Sequence, residues 1–263
     1  MRISIFDVII IIILGIFNKI AYQMCLLYCR IRVALIGKTG AGKSALGNTL
    51  LGEKNIRSTA ASESVTIECE VAIGTLPSGR QIKVVDTPGI MDTEGRDVRD
   101  EVAKAIAALS PGPHAFLIVL QPGRATEEEK RVIKQLQGLF GDETFLEHTI
   151  IVMTKKADIT DENEDPVDIH SFINKMAAPD VKRLYEQCGR RIIAVENKHS
   201  SKGEKNKYAQ EVTDEVLRMG GYYSHAYFKL LAEKRILAEQ IAELILEIEK
   251  VAEEKTIKFC SIL

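Results

Sequence analysis

The chain has 263 residues, enough for one sizeable domain with additional segments, at about 100–200 residues per domain. Apolar residues make up 46% and charged residues 27%, a balance that excludes an extended disordered chain. The net charge of −2 gives no dominant basic field, so we do not expect a nucleic-acid partner, since such binding needs clustered lysine and arginine.

Residues 3–17 form an almost continuous apolar segment that is interrupted by Asp7, and weaker apolar sequence continues to Cys29. A membrane-spanning helix needs about 20 apolar residues, so this segment is short or impure for a span. A secretory signal peptide is the competing interpretation, but no Ala-x-Ala-like cleavage site follows. We treat residues 1–30 as a possible membrane anchor, with an interfacial helix or an artefactual extension of the reading frame as alternatives.

From residue 31 onward, short apolar runs alternate with amphipathic stretches. Strands are predicted at residues 32–36, 81–85, 115–120, 149–153 and 191–195, and helices at residues such as 98–109 and 127–140. Continuously apolar strands that are each followed by a helix indicate a mostly parallel sheet covered on both faces. Residues 65–74 predict an antiparallel edge strand, with a turn at residues 77–79. The predicted fold class is therefore α/β, with three layers over residues 31–220.

The composition changes after Gly220 and Gly221, and residues 225–256 predict one long amphipathic helix within a C-terminal segment, 221–263. Its apolar stripe consists of Leu237, Ile241, Leu244, Ile248 and Val251. Two heptads are too few to predict a free coiled coil. The stripe either packs back onto residues 31–220 or binds a partner helix.

The sequence ends in Cys260-Ser-Ile-Leu, which fits a prenylation box whose final leucine favours geranylgeranyl. The alternative is a cysteine that merely falls four residues from the end. One lipid chain binds membranes only marginally, so a second signal is expected, and the apolar N-terminal segment is the candidate. The five cysteines are odd in number and scattered, which is typical of reduced thiols in the cytosol.

Residues 37–44 match the phosphate-loop pattern G-x-x-x-x-G-K-S between a predicted strand and a predicted helix. Glycines let successive backbone N–H groups point at phosphate oxygens, and the helix N-terminus adds its positive dipole end. The lysine contacts the β- and γ-phosphates and the serine hydroxyl ligates Mg²⁺. The predicted nucleotide-binding residues are Gly37, Lys38, Thr39, Gly40, Ala41, Gly42, Lys43, Ser44 and Ala45.

Asp86 ends the predicted strand 81–85 and begins the sequence Asp-Thr-Pro-Gly. An acid at the carboxyl end of a strand beside the phosphate loop can hold Mg²⁺. The backbone amide of Gly89 is then placed to sense the γ-phosphate.

Guanine recognition is predicted from the sequence Lys155-Lys156-Ala157-Asp158 that follows strand 149–153. The Asp158 carboxylate can accept two hydrogen bonds from the guanine edge, which adenine cannot offer. Lys156 would lie along the base plane, and Lys155 stands where Asn or Thr is usual. Asn197, after the last predicted strand, is a candidate base or ribose neighbour. GTP or GDP with Mg²⁺ is the expected ligand.

Three segments carry a specific resemblance: residues 109–115, residues 119–129, which include Gln121-Pro-Gly-Arg124, and residues 139–141. They closely resemble the GIMAP family, the GTPases of immunity-associated proteins with an avirulence-induced type of G domain. The resemblance covers about residues 31–220 and implies a P-loop GTPase fold. That family also has a basic residue where Lys155 stands, which accounts for the unusual motif.

The resemblance implies further roles. Thr66 would be the first-switch threonine that closes on Mg²⁺, and the molecule would be a septin-like, membrane-associated GTPase that dimerises across its nucleotide face. The helical C-terminal extension would lie against the switches. Arg124 follows a strand on the nucleotide face and could reach the partner's γ-phosphate in such a dimer. The alternative is that Arg124 only pairs with the acids at positions 127–129.

The favoured function is a slow, dimer-regulated GTPase switch at the cytosolic face of an intracellular membrane. Ile90 follows Gly89, where Ras-like enzymes place the glutamine that orients water, so intrinsic turnover is expected to be poor. The second hypothesis is a GTP-binding assembly scaffold that hardly hydrolyses. The third, an ATPase or nucleotide kinase, requires Asp158 to be irrelevant.

Overall fold

One six-stranded sheet organises the protein, with the strand order β2-β3-β1-β4-β5-β6. The structure is a computed structural model that describes residues 30–52, 56, 69–87, 107–123, 144–224, 237, 240–247 and 250. The strands are β1 (Ile31–Ile36), β2 (Glu70–Thr75), β3 (Gln81–Asp86), β4 (Ala115–Leu120), β5 (Thr149–Met153) and β6 (Ile192–Ala194). The helices are α1 (Lys43–Leu51), α2 (Thr144–Glu147), α3 (Ile169–Met176), α4 (Pro179–Gln187) and α5 (Lys202–Met219).

The central strands β1, β4 and β5 are buried at every residue, as their apolar sequences predict. All pairings are parallel except that of β2 with β3. One face of the sheet packs Phe116 and Phe145 against α3 and α4, and the other packs Leu46 of α1 and Val212 of α5. Parallel pairing brings the carboxyl ends of β1, β3, β4, β5 and β6 to one edge of the sheet, where ligands of such folds bind.

The strands predicted from the sequence are confirmed with small changes in their ends. The antiparallel edge strand, predicted at residues 65–74, is β2, and residues 65–68 of the predicted range lie outside the described residues. Its turn is closed by the Gly79 N–H, which donates to Leu76 O at 2.8 Å. β6 has three residues rather than the five predicted. The predicted helix 127–140 and most of 98–109 lie outside the described residues.

Arg32 and His114 join β1 to the start of β4, at the opposite end of the strands from the nucleotide-facing carboxyl ends. The backbone N–H of Arg32 donates to His114 Nδ1 at 3.0 Å, and Arg32 Nε donates to Gly112 O at 2.6 Å. Burial, and then the Arg32 charge, lower the pKa of His114 to about 4, so this imidazole stays neutral and can accept. Tyr222 lies 5.3 Å below the Arg32 guanidinium and fixes the chain that leaves α5. The role of His114 is structural.

The apolar stripe of the C-terminal segment does not pack on the domain at the residues that the structure describes. Leu237, Ile241 and Leu244 are 58%, 50% and 39% exposed. The expectation that the stripe packs back onto residues 31–220 is therefore wrong for these side chains. No helix within the described residues is long and apolar enough to cross a membrane, and residues 1–29 lie outside them.

Candidate nucleotide-binding site

The phosphate loop connects β1 to α1 and is built on two glycines that no other residue could replace without strain. Gly42, directly before α1, has φ = 97°, in the left-handed region that favours glycine. A Cβ on Gly37 would lie 2.5 Å from Val119 O of the neighbouring strand β4. The loop is thereby held against the carboxyl end of β4, as the sequence motif requires.

Lys43 folds its side chain back over this loop. Its Nζ donates to Gly37 O and Lys38 O at 3.0 Å each, and the residue is almost fully buried. The ammonium is thus held by the backbone of the loop that is predicted to receive phosphates. The position assigned to Lys43 from the motif agrees with a phosphate-binding role.

We expect Lys43→Ala to weaken triphosphate binding by about thirtyfold to a few thousandfold, because truncating one partner of a buried charged contact costs about 2–5 kcal/mol. A titration with a fluorescent GTP analogue measures the loss, and a thermal melt tests whether the fold survives. Lys202→Ala, at an exposed position of α5, is the matched control. Unchanged affinity in Lys43→Ala would remove the phosphate-loop assignment.

Ser44 and Asp86 meet at the edge of the phosphate loop. The Ser44 hydroxyl donates to Asp86 Oδ2 at 2.5 Å, and Thr87, the next residue, donates its hydroxyl to Leu35 O at 2.7 Å. Asp86 is fully buried, and its Oδ1 has no hydrogen-bond partner among the described residues. An oxygen pair with one unsatisfied carboxylate oxygen suits a hard divalent cation. The residues therefore fit Mg²⁺.

Burial raises the pKa of Asp86 to about 6, against the opposing hydrogen bond from Ser44 and the nearby Lys43 charge. A raised pKa means that the folded protein binds more protons between about pH 4 and pH 6. Stability therefore falls as pH rises through this window and stays reduced above it. The buried carboxylate charge therefore lowers the free energy of unfolding until a cation binds.

Asp86→Asn is expected to stabilise the nucleotide-free, metal-free protein at pH 8 by roughly 1–3 kcal/mol, because the neutral amide removes the buried charge. The same variant should lose the Mg²⁺ dependence of nucleotide binding. Thermal melts with EDTA at pH 8 and pH 4.5 measure the first effect, which should shrink at the lower pH. A variant that is less stable at pH 8 would contradict this account.

The sequence that is predicted to read the base follows β5 at the same edge. Lys155 is in the left-handed region, with φ = 54°, and the Lys156 N–H donates to Val195 O at 3.2 Å. The aromatic ring of Tyr208 lies 5.3 Å from Lys156 Nζ. Asp158 closes a short 3₁₀ turn and is exposed, so its carboxylate is open to a ligand.

Two side chains that the sequence analysis missed connect the loops of this edge. Thr154, between β5 and the base motif, donates its hydroxyl toward Ala41 O at 2.8 Å. Gln121, directly after β4, donates Nε2 to Gly40 O at 2.7 Å. Both brace backbone carbonyls of the phosphate loop. Their position just beyond a strand end was the one available signal.

The structure places Asn197 against α1. Thr49 Oγ1 lies 2.9 Å from Asn197 Oδ1 and 3.1 Å from Ala45 O, and Asn197 Nδ2 is buried without a partner among the described residues. One hydroxyl proton cannot serve both acceptors, so rotating the Asn197 amide by half a turn would let Nδ2 donate to Thr49. This contact links the loop after β6 to the phosphate-loop helix. Contact of Asn197 with base or ribose stays a prediction.

The structure therefore gathers Lys43, Ser44 and Asp86, with the base motif at the carboxyl end of β5 on the same edge of the sheet. The remaining predicted site residues lie outside the described residues and stay predictions. These are Thr66, Gly89, Arg124 and Cys260.

The fold and the phosphate loop define a P-loop GTPase-type domain. Toc33 from Arabidopsis thaliana, in a dimerization-deficient mutant form, superposes with a TM-score of 0.56 at 18% identity, over 80% of this chain and 93% of that chain. Toc33 in complex with Mg²⁺ and GMPPNP gives 0.53 at 19% identity, over 78% and 90%. The AIG1 family model matches residues 31–245, and the chain belongs to the AIG1 family.

Curated relatives agree with this membership. Immune-associated nucleotide-binding protein 9 of Arabidopsis thaliana is 33% identical over 211 residues, 78% of this chain and 60% of that protein. GTPase IMAP family member 8 of Mus musculus is 30% identical over 182 residues, 67% of this chain and 25% of that protein. The match to immune-associated nucleotide-binding protein 10 of Arabidopsis thaliana spans 48% of that protein, about half its length. The resemblance to the GIMAP family is confirmed.

Proposed function

We propose that this protein binds guanine nucleotide with Mg²⁺ and hydrolyses GTP slowly. The observation that carries the proposal is the contact of Ser44 with Asp86 beside Lys43, on the edge of the sheet where Asp158 stands. Bound Mg²⁺ would be held by Ser44 and Asp86 and would neutralise charge on the phosphates. Lys43 and the loop N–H groups bind the phosphates, and Asp158 selects the base. The names of the relatives and the nucleotides bound by Toc33 support this function.

Dimerisation across the nucleotide face is part of the proposal. Dimerization is important for the GTPase activity of the chloroplast translocon components atToc33 and psToc159. In this chain Ile90 occupies the place of a water-orienting glutamine, so another group must stabilise the developing charge. We assign that role to Arg124 of a second copy.

The second candidate is a GTP-binding assembly scaffold with little hydrolysis. Ile90 favours it, because an apolar side chain cannot orient the attacking water. An ATPase or nucleotide kinase is the third, and the exposed Asp158 carboxylate disfavours it.

Equilibrium titration with fluorescent GTP and ATP analogues, in Mg²⁺ and in EDTA, tests nucleotide identity. Tight, Mg²⁺-dependent GTP binding is expected, and equal affinity for ATP would contradict the base assignment. Turnover measured at rising protein concentration then separates the two guanine-nucleotide functions, since a dimer-regulated GTPase gains specific activity and a scaffold stays inactive.

We also propose attachment to the cytosolic face of an intracellular membrane through the apolar segment at residues 3–17. Deleting residues 1–29 is expected to move the protein from the membrane pellet to the supernatant when neutral vesicles are sedimented. Lys19→Ala, within the deleted region, is the control that should leave this co-sedimentation unchanged. A full-length protein that stays in the supernatant would contradict the anchor.

A further inference from the structure

The strand β6 ends the sheet, and among the described residues one of its edges has no neighbouring strand. Ile151 N–H donates to Arg191 O and Val195 N–H donates to Met153 O, so these groups face β5. In a parallel ladder alternate residues point the opposite way. The N–H and C=O groups of Ile192 and Ala194 therefore point away from β5, and neither residue has another hydrogen bond within the described chain.

This open edge lies in a groove of about 500 Å³ between the start of α3 and the face of α5. Ile192, Ile193 and Ala194 line it along the strand. The side next to α3 is apolar and includes Ile159, Val167 and Ile169. A groove with an unpaired strand along it has the form of a site that accepts one more strand.

The opposite side of the groove is acidic. Glu211, Asp214 and Glu215 lie on one face of α5 at helical spacing. Asp168, at the start of α3, adds one carboxylate to the otherwise apolar side of the groove. Arg218 pairs with Glu215. Asp168, Glu211 and Asp214 form no ion pair in the part of the chain that the structure describes. Lys156 also lines the groove, so four carboxylates face two cationic side chains and the groove carries an excess of negative charge.

We propose that this groove binds an extended segment of a partner protein, in which basic and apolar residues alternate. The segment pairs its backbone with Ile192 and Ala194. Successive side chains of a strand point to opposite faces, so the basic ones meet the acids of α5 and the apolar ones meet the α3 side. The groove runs along β6, and Lys156 of the predicted base motif also lines it.

The negative charge of the groove favours a basic partner segment over the β6 strand of a second copy. Edge-to-edge pairing of two β6 strands would bring the two acidic α5 faces together. Like charges at short distance oppose that arrangement, and a basic segment neutralises them. We therefore assign the groove to a basic strand of another protein.

The probe is a labelled hexapeptide that alternates lysine with valine, titrated against the full-length protein by fluorescence anisotropy at low salt. A hexapeptide that alternates glutamate with valine is the charge control. Ala194→Pro removes the outward N–H without touching a bond to β5, and Ala194→Ser keeps it. The double variant Glu211→Lys, Asp214→Lys reverses the charge of the α5 side of the groove. Glu162→Lys is the control, because it makes the same acid-to-base change at an exposed position outside the groove.

The lysine peptide is expected to bind, at least tenfold more tightly than the glutamate peptide, and to slow hydrogen exchange at the amides of Ile192 and Ala194. Ala194→Pro and the double reversal should each raise its Kd at least fivefold, with both controls unchanged. If Ala194→Pro fails to fold, the exchange data and the charge variants decide. No binding at millimolar peptide, equal binding of both peptides, or unaltered exchange overturns the proposal. A wild-type dimer that Ala194→Pro converts to monomer assigns the edge to a second copy instead.

Discussion

Asp158→Asn is expected to lower GTP affinity by about a thousandfold and to raise the affinity for xanthosine triphosphate. A site that hydrogen-bonds a polar group of its ligand discriminates against an analogue without that group by a factor of about 10⁴–10⁵. Asparagine keeps one of the two hydrogen bonds to guanine, so we expect a smaller loss. The carboxylate accepts two hydrogen bonds from the guanine edge, whereas the asparagine amide accepts on one side and donates on the other. Xanthine offers an acceptor where guanine has its amino group, so the exchange restores the pairing.

Competition between xanthosine and guanosine triphosphates for the same labelled analogue measures this reversal. Asp161→Asn is the matched control, because the Asp161 Oδ1 accepts from the backbone N–H groups of Asn163 and Asp165 and an amide oxygen can do the same. Asp161→Asn should keep GTP selectivity. If Asp158→Asn keeps it too, Asp158 does not read the base.

The elements that sequence predicted well are those with local signals. β1, β4 and β5 are buried on both faces, and only continuously apolar runs tolerate this, so their bounds could be read within a residue. The phosphate loop requires glycines at fixed places, since Gly37 packs against Val119 O and Gly42 is left-handed. These requirements produce a sequence pattern that is specific to the phosphate loop.

The features that sequence missed are set by contacts between distant residues. Thr154 and Gln121 hydrogen-bond to carbonyls of the phosphate loop, but nothing in the neighbouring sequence indicates that these carbonyls are their partners. Asn197 faces Thr49, which is 148 positions away along the chain. The length of β6 depends on how many of its residues pair with β5. These details follow from the fold rather than from a motif.

The exposed apolar stripe of the C-terminal segment is a second feature whose packing the sequence did not predict. Spacing alone predicts that Leu237, Ile241 and Leu244 share a face, but it does not say what covers that face. A helix with this pattern fits a domain surface, a partner helix or a second copy equally well. Periodicity therefore predicts the element and leaves its packing open.

The largest expected effect concerns Arg124. Arg124→Ala should remove about 10³–10⁵ of the hydrolysis rate at high protein concentration, the contribution of an arginine supplied to the transferring phosphoryl group. Arg124 follows β4 by four residues, beyond Gln121, whose side chain donates to the phosphate loop. The start of this loop therefore lies at the nucleotide edge. An arginine there that acts on a second copy makes specific activity rise with concentration.

Single-turnover hydrolysis measured across a wide range of protein concentration tests this, with sedimentation to follow association. Wild-type activity should rise as dimer forms, and Arg124→Ala should stay flat while GTP affinity changes less than about threefold, because binding energy resides in the loop and the base contact. Arg190→Ala is the control: Arg190 is exposed, pairs with Glu186 and precedes β6, at the end of the strands away from the nucleotide edge. Flat wild-type turnover, or Arg124→Ala turnover that rises like that of the wild type, would contradict a role of Arg124 at a partner's phosphate and favour its pairing with the acids at positions 127–129.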